Sequence, residues 1–369
     1  MAPMKYRRAS IEIESPEEYG YDRIRCNLAE SSFTDGRLGA LGGNIEELVL
    51  QYGDHLGNPE LRGILAEDAN VSPGDVMLTV GAAGALFIVA SSLLEAGDEI
   101  VVCFPNYTTN LETPRAIGAT IRKLELRFEE GFRIDVDALA EMVSDRTRLI
   151  SLTTPHNPTG TVLRESELRR AVEIAESCGA RLLVDETYRG LSYVGTPPHA
   201  ASLSPRAISI SSLSKTWGLP GLRLGWILCR DPELQELFLA AKEQIHISTS
   251  VLDEEIACRY LRDRGQHLQR IRGIVDERFA CVRAFMAGQS ELEWVAPEGG
   301  VIAFPRLRGD IDVNRFYQLL NDEYGTFVGP GHWFDMDRRY MRIGYGWPDA
   351  DELARGLDNI AEAAARASR

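Results

Sequence analysis

The sequence predicts an α/β fold with a large domain built on a mainly parallel sheet, followed by a smaller α+β domain. Three observations support this prediction. Strand-like and helix-like segments alternate from about residue 76 onward, as they do in chains that form parallel sheets. Beyond residue 230 the pattern changes to long helical runs. Finally, 369 residues are more than a single core of ordinary size accommodates.

We place the domain boundaries at these changes of pattern. Residues 1–45 carry little periodicity and are interrupted by Pro, Gly and polar residues, so we expect an N-terminal arm that packs with the small domain. Residues 46–245 form the large domain. Residues 246–369 form a long helical connection and the small C-terminal domain.

Short apolar runs bounded by turn-forming residues are typical of buried strands. They occupy 76–80, 99–104, 120–126, 148–153, 181–185, 207–211 and 224–229. Helical patterns at 82–95, 135–144 and 165–177 lie between several of these strands. This order predicts a seven-stranded, mainly parallel sheet that is covered on both faces. Ligand sites in such sheets lie at the carboxyl ends of the strands, where functional residues are therefore expected.

The C-terminal third is mainly helical. Its predicted elements are helices at 231–245 and 252–287, strands within 301–304 and 340–345, and an amphipathic helix over 350–365. The second of these helices is interrupted near residues 263–265. We therefore predict a small domain in which helices cover a short sheet.

Composition excludes several classes of protein. A formal charge of −15 argues against a nucleic-acid partner, because phosphates repel an acidic surface. The six cysteines are scattered without a C-x-x-C pair or a histidine at metal spacing, so we expect reduced thiols, no metal and a cytoplasmic protein. The first ten residues lack an apolar core typical of a signal peptide, and the apolar stretch 84–94 is too short to span a membrane.

A single lysine, Lys215, follows two small hydroxyl side chains, Ser212 and Ser214, and Arg223 lies beyond a turn rich in Gly and Pro. A lysine amine becomes a nucleophile toward a carbonyl when burial and neighbouring cations lower its pKa. Serine hydroxyls with an arginine fork are suited to a phosphate dianion. Together they indicate a Schiff base to a phosphorylated aldehyde. An exposed lysine in a glycine turn is the alternative.

Two further charged residues lie in apolar surroundings. Asp185 ends the predicted strand 181–185, and a buried carboxylate needs a partner. Arg342 lies in the middle of the apolar strand 340–345, where it calls for a buried anion. A structural ion pair with an Asp or Glu also satisfies such an arginine.

The segment 211–226 resembles the active-site lysine motif of fold-type I pyridoxal-phosphate enzymes, specifically the class I/II aminotransferases. The spacing and order along the chain are also similar to those of that family for Asn157, Asp185, Tyr188, Lys215 and Arg223. The resemblance extends from about residue 52 to the last helix. It implies the fold-type I transferase fold, a long interdomain helix and pyridoxal 5′-phosphate as cofactor.

The resemblance also implies roles for individual residues. Lys215 forms the Schiff base, and Ser212, Ser214 and Arg223 hold the cofactor phosphate. Asp185 pairs with the pyridine nitrogen. Two residues share the phenolic oxygen of the cofactor, Asn157 and Tyr188. A lone Asn-Pro-Thr-Gly sequence is also a good turn by itself.

Two tyrosines complete the expected cofactor contacts. Tyr107 follows the second strand, where the family stacks an aromatic ring on the pyridine. Tyr52 corresponds to a tyrosine that reaches the phosphate of the neighbouring subunit, which implies a homodimer with shared active sites. A role in the apolar core is the alternative for both.

Gly81, Ala82 and Ala83 open a helix after the first strand, and small residues there leave backbone N–H groups free to bind an anion. Close helix packing explains the same residues. Ala82 and Ala83 lack the hydroxyl often found in the family, so a phosphate would be bound here through the backbone.

Substrate contacts are expected from both ends of the chain. The resemblance places the substrate α-carboxylate on Arg342 and near Asn157. N-terminal segments of the family close over the site, so Asn27 and Glu30 in the segment 27–32 are candidates. From the sequence alone this segment is a loop.

We therefore expect an aminotransferase that moves an α-amino group from an L-amino acid to a 2-oxo acid. The segments 212–226 and 299–344 also resemble capreomycidine-synthase-like enzymes, so a pyridoxal-phosphate cyclase, oxidase or lyase acting on arginine or a hydroxyarginine is an alternative. Glu30 and Asp54 are candidates for binding a guanidinium. A non-catalytic protein that retains the fold is a second alternative.

Overall fold

The structure, a computed structural model, describes residues 8–33, 45, 48–309 and 311–368. Of the arm predicted over residues 1–45, residues 1–7 and 34–44 lie outside the described part. The chain start that bears on a signal peptide falls mostly in the first of these gaps. The domain boundaries after residues 45 and 245 stay predictions.

A seven-stranded sheet lies at the centre of the structure. Its strands are β2 (Val76–Val80), β3 (Glu99–Phe104), β4 (Thr120–Glu125), β5 (Thr147–Thr153), β6 (Arg181–Asp185), β7 (Ala207–Ser212) and β8 (Leu224–Cys229). Their spatial order is β2-β8-β7-β6-β5-β3-β4. Only β8 runs antiparallel to its neighbours, β2 and β7. The mainly parallel seven-stranded sheet of the predicted α/β fold is confirmed.

Residues alternate between the two faces of this sheet. Val101 of β3 and Ile150 of β5 belong to one apolar cluster, whereas the adjacent Ile100 and Leu149 belong to another on the opposite face. Because helices cover both faces, apolar residues occur at consecutive positions of the strands. The carboxyl ends of the parallel strands β3, β5, β6 and β7 then open at one edge.

Thirteen α-helices surround the sheets in the described part of the chain. They are α1 (Ser10–Ile13), α2 (Pro16–Tyr19), α3 (Pro59–Ala69), α4 (Gly81–Leu93), α5 (Thr109–Ile117), α6 (Val136–Met142), α7 (Glu165–Cys178), α8 (Ala200–Leu203), α9 (Pro232–His246), α10 (Val251–Arg262), α11 (Arg264–Ala287), α12 (Val313–Gln318) and α13 (Ala350–Ala367). The N-terminus of α3 is capped by Asn58, whose side chain accepts from the N–H groups of Glu60 at 2.9 Å and Leu61 at 3.1 Å.

The N-terminal arm is part of a second sheet. Strand β1 (Cys26–Leu28) pairs in parallel with β12 (Thr326–Pro330), which is followed in the sheet by β13 (Met341–Gly344) and β10 (Ile302–Ala303). A separate pair is formed by β9 (Leu292–Glu293) and β11 (Arg306–Leu307). Helix α13 packs on the four-stranded sheet. The pairing of β1 fixes the segment 29–32, which continues directly from it.

All six cysteines are free thiols, and no disulfide is present. Within the described residues, no helix combines the length and the apolar character that a membrane span requires. The same residues contain no cluster of His, Cys, Asp or Glu arranged to hold a metal ion.

Candidate functional site

A cavity of about 510 Å³ opens at the carboxyl edge of the large sheet. It brings together most of the predicted site residues. They are Glu30, Ala82, Ala83, Tyr107, Asn157, Asp185, Tyr188, Ser212, Ser214, Lys215, Arg223 and Arg342. The other predicted site residues, Asn27, Tyr52 and Gly81, lie outside this lining. The chain thus assembles its candidate chemistry from strand ends, the N-terminal arm and β13.

Lys215 lies three residues beyond β7, in a turn that folds back on the sheet. The N–H of Leu219 donates to the carbonyl of Leu213 at 3.0 Å, and the N–H of Gly218 donates to the carbonyl of Lys215 at 3.3 Å. Gly218 has a φ of +67°, and a Cβ there would meet Phe33 at 3.0 Å. Because of this turn, the lysine projects into the cavity, where its Nζ donates to Ser31 Oγ at 3.1 Å.

Asp185 is the last residue of β6, and only 7% of it is exposed. Its Oδ1 accepts from the Thr187 backbone N–H at 3.0 Å and from the Thr187 hydroxyl at 2.6 Å. Burial raises the pKa of Asp185, whereas the bonds from Thr187 and the charge of Lys215 act in the opposite direction. A buried carboxylate of this kind suits a cationic ring nitrogen.

The part of the cavity next to the N-terminus of α4 is suited to an anion. The first turn of α4 has no side-chain cap, so its N–H groups face a potential anion. Ser212 and Ser214 border the same region, and Arg223 approaches within 3.4 Å of the Ser214 hydroxyl. These donors match a phosphate dianion.

Two glycines allow this close approach. Gly81 has a φ of +65°, and a Cβ there would lie 2.6 Å from Arg223 Nη2. A Cβ on Gly225 would lie 2.7 Å from the backbone nitrogen of Ala82. Gly81 therefore serves the anion site by leaving room for the guanidinium, although it lies outside the cavity lining. Sequence reasoning did not single out Gly225, although its place in the lysine motif was a usable signal.

Arg342 is buried in β13 and is held by neutral oxygens. Its Nη1 donates to Asn157 Oδ1 at 3.2 Å, and its Nη2 donates to the carbonyl of Ala29 at 2.8 Å. Its Nε has no hydrogen-bond partner in the described structure, and no described Asp or Glu forms an ion pair with it. Burial lowers the pKa of Arg342. A buried guanidinium with spare donors is ready to bind a carboxylate.

The two predicted cavity tyrosines differ in their surroundings. Tyr188 is buried, and its hydroxyl donates to the carbonyl of Ser31 at 2.8 Å. Burial raises its pKa to about 12, so it remains a phenol. Tyr107 lines the cavity after β3, with its N–H donating to Asn106 Oδ1 at 2.7 Å.

The three candidates outside the lining are placed as follows. Asn27 lies in β1, where its Oδ1 accepts from the N–H of Ala29 at 3.2 Å. Tyr52 is 79% exposed on the surface. Asp54, the other candidate for a guanidinium, also lies outside the cavity lining, and its carboxylate accepts from the N–H of Leu56 at 2.8 Å.

One end of the cavity is formed by residues that sequence reasoning missed. Tyr21 stacks on Trp347 with 6.0 Å between ring centroids and 6° between planes. The Tyr21 hydroxyl donates to Glu30 Oε1 at 3.1 Å. Glu18 and Arg8 also line this end and form an ion pair at 3.1 Å. Of these residues, only Trp347 lies near a segment identified from the sequence, because it follows the predicted strand 340–345 by two residues.

His156, beside Asn157, has a local role. Its Nδ1 lies 2.8 Å from the hydroxyl of Thr159. Burial lowers the pKa of His156 to about 3, so the imidazole is neutral at pH 7. His156 is thus a hydrogen-bond partner within its own turn.

A family model described as aminotransferase class I and II matches residues 44–360. A capreomycidine synthase of Streptomyces vinaceus is 32% identical over 361 residues, covering 97% of this chain and 90% of the synthase. An arginine–pyruvate transaminase of Pseudomonas aeruginosa is 27% identical, covering 85% of this chain and 81% of that enzyme.

Solved structures show the same similarity in three dimensions. A PLP-dependent aminotransferase from Streptococcus suis matches with a TM-score of 0.92 and 26% identity, covering 99% of this chain and 100% of that one. The PLP-dependent cyclase OrfR matches with a TM-score of 0.86 and 26% identity, covering 99% of both chains. Both matches extend over nearly the whole chain.

Proposed function

This chain belongs to the class I and II aminotransferases, and from that premise we propose that it transfers the α-amino group of an L-amino acid to a 2-oxo acid. The enzymes of this family depend on pyridoxal 5′-phosphate. One observation carries the proposal: a lysine amine, a buried carboxylate and a buried guanidinium line a single cavity. These are Lys215, Asp185 and Arg342.

The cavity fits this cofactor. Lys215 would hold it covalently, and Asp185 would pair with its ring nitrogen. The first turn of α4, Ser212, Ser214 and Arg223 would bind its phosphate, in the space that the missing Cβ of Gly81 leaves beside the guanidinium. When bound, the cofactor supplies an electron sink that stabilises negative charge at the substrate Cα.

The protein's own residues then have separate tasks. Arg342 binds the α-carboxylate of the amino acid through the donors that its neighbours leave free, which fixes the Cα in the cavity. Once the substrate amino group has displaced it from the cofactor, the freed Lys215 amine would remove the Cα proton as a general base and then donate a proton as a general acid. Ser31, whose hydroxyl accepts from Nζ at 3.1 Å, holds the amine on the cavity side.

Nitrogen transfer can be followed directly. The purified holoenzyme is incubated with ¹⁵N-labelled L-amino acids, first alone and then with pyruvate or 2-oxoglutarate. We expect about one 2-oxo acid per site without acceptor, and ¹⁵N in the newly formed amino acid with acceptor. Lys215→Ala should lose this transfer while Lys123→Ala, which removes a lysine outside the cavity lining, retains it. Release of ¹⁵N as ammonia alone would contradict the proposal.

A second candidate reaction is cyclisation, oxidation or elimination on arginine or a hydroxyarginine. It is supported by Glu30, a carboxylate at the Tyr21 end of the cavity, and by the name of the 32% identical relative. The arginine–pyruvate transaminase relative connects a guanidino substrate with transamination as well. The two reactions differ in where the α-nitrogen goes. Retention of ¹⁵N in a cyclised product would favour the second candidate.

The interpretation as a non-catalytic protein is not retained, because family membership and the assembled cavity both indicate an enzyme. We also propose a cytoplasmic location, because all six cysteines are free thiols.

We further propose that the protein is a homodimer. Three apolar or aromatic side chains of one loop are exposed, namely Val49, Leu50 and Tyr52. His55 of the same loop contacts Glu243 of α9. Ile245, two residues after Glu243 in that helix, is also exposed. An apolar surface of this kind suits a second copy of the chain.

The dimer is tested by sedimentation of the holoenzyme. We expect a dimer whose dissociation constant rises in Leu50→Asp, because a charge would be placed in the apolar contact. The exposed substitution Val194→Asp, distant in sequence from this loop, is the matched control. A monomer at micromolar concentration would contradict the proposal.

A further inference from the structure

The reaction leaves one short hydrogen bond in the cavity unexplained. The hydroxyl of Thr187 lies 2.6 Å from Asp185 Oδ1, and the Thr187 backbone N–H lies 3.0 Å from the same oxygen. Both residues are 7% exposed. Because an ionised carboxylate only accepts, the hydroxyl must donate its proton to it. Thr187 therefore supplies two donors to one oxygen and leaves the other oxygen of Asp185 for a ligand.

Asp185 needs this support because its surroundings oppose a negative charge. Burial raises the pKa of Asp185, and the neighbouring carboxylate of Glu186 adds to that effect. Lys215 faces Asp185 from the turn after β7 and favours the charged form of Asp185. Tyr188 is a further titratable group in the turn that contains Asp185. Thr187 stabilises the charge without adding a further charged group.

The charge of Glu186 is handled separately. Its Oε1 accepts from the Ala200 N–H at 2.9 Å and from the Ser209 hydroxyl at 2.8 Å, and its Oε2 contacts His199 Nδ1. Burial alone raises the pKa of Glu186, yet His199 and Arg189 bring it below its ordinary value. Glu186 is thus ionised next to Asp185. Because its negative charge disfavours ionisation of Asp185, the hydrogen bonds that Thr187 donates to Asp185 matter more.

Thr187 also connects Asp185 to the lysine. The Thr187 carbonyl accepts from the hydroxyl of Thr216 at 2.9 Å, and Thr216 is the residue after Lys215. Thr216 is buried, and a Cβ on Gly190 would collide with its methyl group. One backbone unit therefore joins the carboxylate to the turn that carries the amine.

We propose that Thr187 is a positioning residue, which keeps Asp185 ionised and aimed at the ring nitrogen of the cofactor and couples its place to that of Lys215. The proposal rests on the proposed pyridoxal-phosphate chemistry. It concerns the strength of cofactor binding and its pH dependence, which both depend on a charged Asp185. When Asp185 becomes protonated, the cationic ring nitrogen loses its partner.

The test uses two substitutions of similar size. Thr187→Val removes the hydroxyl, whereas Thr187→Ser keeps it. A hydrogen bond to a charged group contributes enough that we expect Thr187→Val to bind pyridoxal phosphate about ten- to a hundredfold more weakly. The acid limb of the pH dependence of binding should move to higher pH, since Asp185 is protonated more readily. Thr187→Ser should restore both quantities to near their wild-type values.

Thr326→Val serves as the matched control, because it removes a buried threonine hydroxyl in β12, outside the cavity lining. Dissociation constants are measured by equilibrium dialysis between pH 5 and 9, and melting of the apoprotein reports on folding. Thr187→Ala is the second variant in case Thr187→Val does not fold. Wild-type affinity with an unmoved acid limb in Thr187→Val or Thr187→Ala would overturn the inference. A wild-type protein that binds no pyridoxal phosphate would overturn the proposed function itself.

Discussion

Arg342 donates from Nη1 to Asn157 Oδ1 over 3.2 Å, and this bond joins residues 185 positions apart in the chain. Arg342 belongs to β13 of the four-stranded sheet, whereas Asn157 follows β5 of the seven-stranded sheet. The bond therefore connects the residue proposed to bind the substrate carboxylate with one proposed to contact the cofactor. The packing of the two sheets therefore fixes the positions of these two residues relative to each other.

Arg342→Lys should weaken substrate binding. Lysine keeps the positive charge, but it cannot present a planar fork while also donating to Asn157 and Ala29. We expect KM for the amino donor to rise about ten- to a hundredfold with a smaller change in kcat, the loss of a charged hydrogen bond being roughly 1.5–3 kcal/mol. Steady-state kinetics check this. Arg339→Lys, at a partly exposed arginine outside the cavity lining, should leave KM unchanged. An unchanged KM in Arg342→Lys would refute the assignment.

Gly81→Ala should weaken binding of the phosphate end of the cofactor. The new methyl group would lie 2.6 Å from Arg223 Nη2, and a φ of +65° is unfavourable for alanine. We expect the dissociation constant of pyridoxal phosphate to rise at least about tenfold, which corresponds to roughly 1.4 kcal/mol. Fluorescence titration of the apoprotein measures it.

Gly84→Ala is the control within the same helix. Its Cβ would lie 3.7 Å from the Val80 Cβ, an ordinary contact. Alanine favours a helix over glycine by up to about 1 kcal/mol, so this variant should be as stable as the wild type or more so. If both substitutions weaken cofactor binding equally, the close approach at Gly81 is not the cause.

The local sequence pattern was sufficient to predict the strands of the seven-stranded sheet, but not the strand in the N-terminal arm. The strands 76–80, 99–104, 181–185 and 224–229 have the bounds that their apolar runs predict. Strand β1 has only three residues, and its partner β12 lies about 300 positions away, so no local pattern identifies it. Helix α5 was missed as well, because Pro114 lies inside it.

The candidate site shows the same division. Residues at strand ends, such as Asp185 and Asn157, were predictable because parallel strands bring their carboxyl ends to one edge. Tyr21 and Trp347 meet only because β1 joins the small sheet, and no spacing in the sequence encodes that contact. Thr187 was overlooked because the hydrogen bond from its hydroxyl to Asp185 depends on a side-chain rotamer rather than on a motif.

His156→Gln should make folding less sensitive to acid. Burial lowers the pKa of His156 from 6.5 to about 3, so between these values the unfolded chain binds a proton that the folded protein does not. Stability is therefore lost as pH falls below 6.5, by about 1.4 kcal/mol for each pH unit. Urea unfolding is measured at about pH 7.5 and pH 5.0, and the decrease in stability between them should be smaller by roughly 2 kcal/mol in the His156→Gln variant than in the wild type.

An equal loss of stability with falling pH in His156→Gln and in the wild type would show that the imidazole is not the group responsible.

Glu30→Gln should reduce the preference for a cationic side chain. Glu30 accepts from the Tyr21 hydroxyl, and Tyr21 and Trp347 present stacked rings at the same end of the cavity. A planar guanidinium fits both the carboxylate and an aromatic face. Arginine and citrulline have the same shape and differ in charge, so their ratio of dissociation constants isolates the electrostatic contribution.

For the wild type we expect arginine to bind more tightly than citrulline, and in Glu30→Gln this ratio should fall about three- to tenfold, since Glu30 is partly exposed. The change in cofactor absorbance on titration measures both constants. Glu18→Gln is the comparison, because Glu18 lines the same cavity but is more exposed and pairs with Arg8. A wild-type protein that binds both amino acids equally would argue against a guanidino substrate and leave the transamination proposal standing.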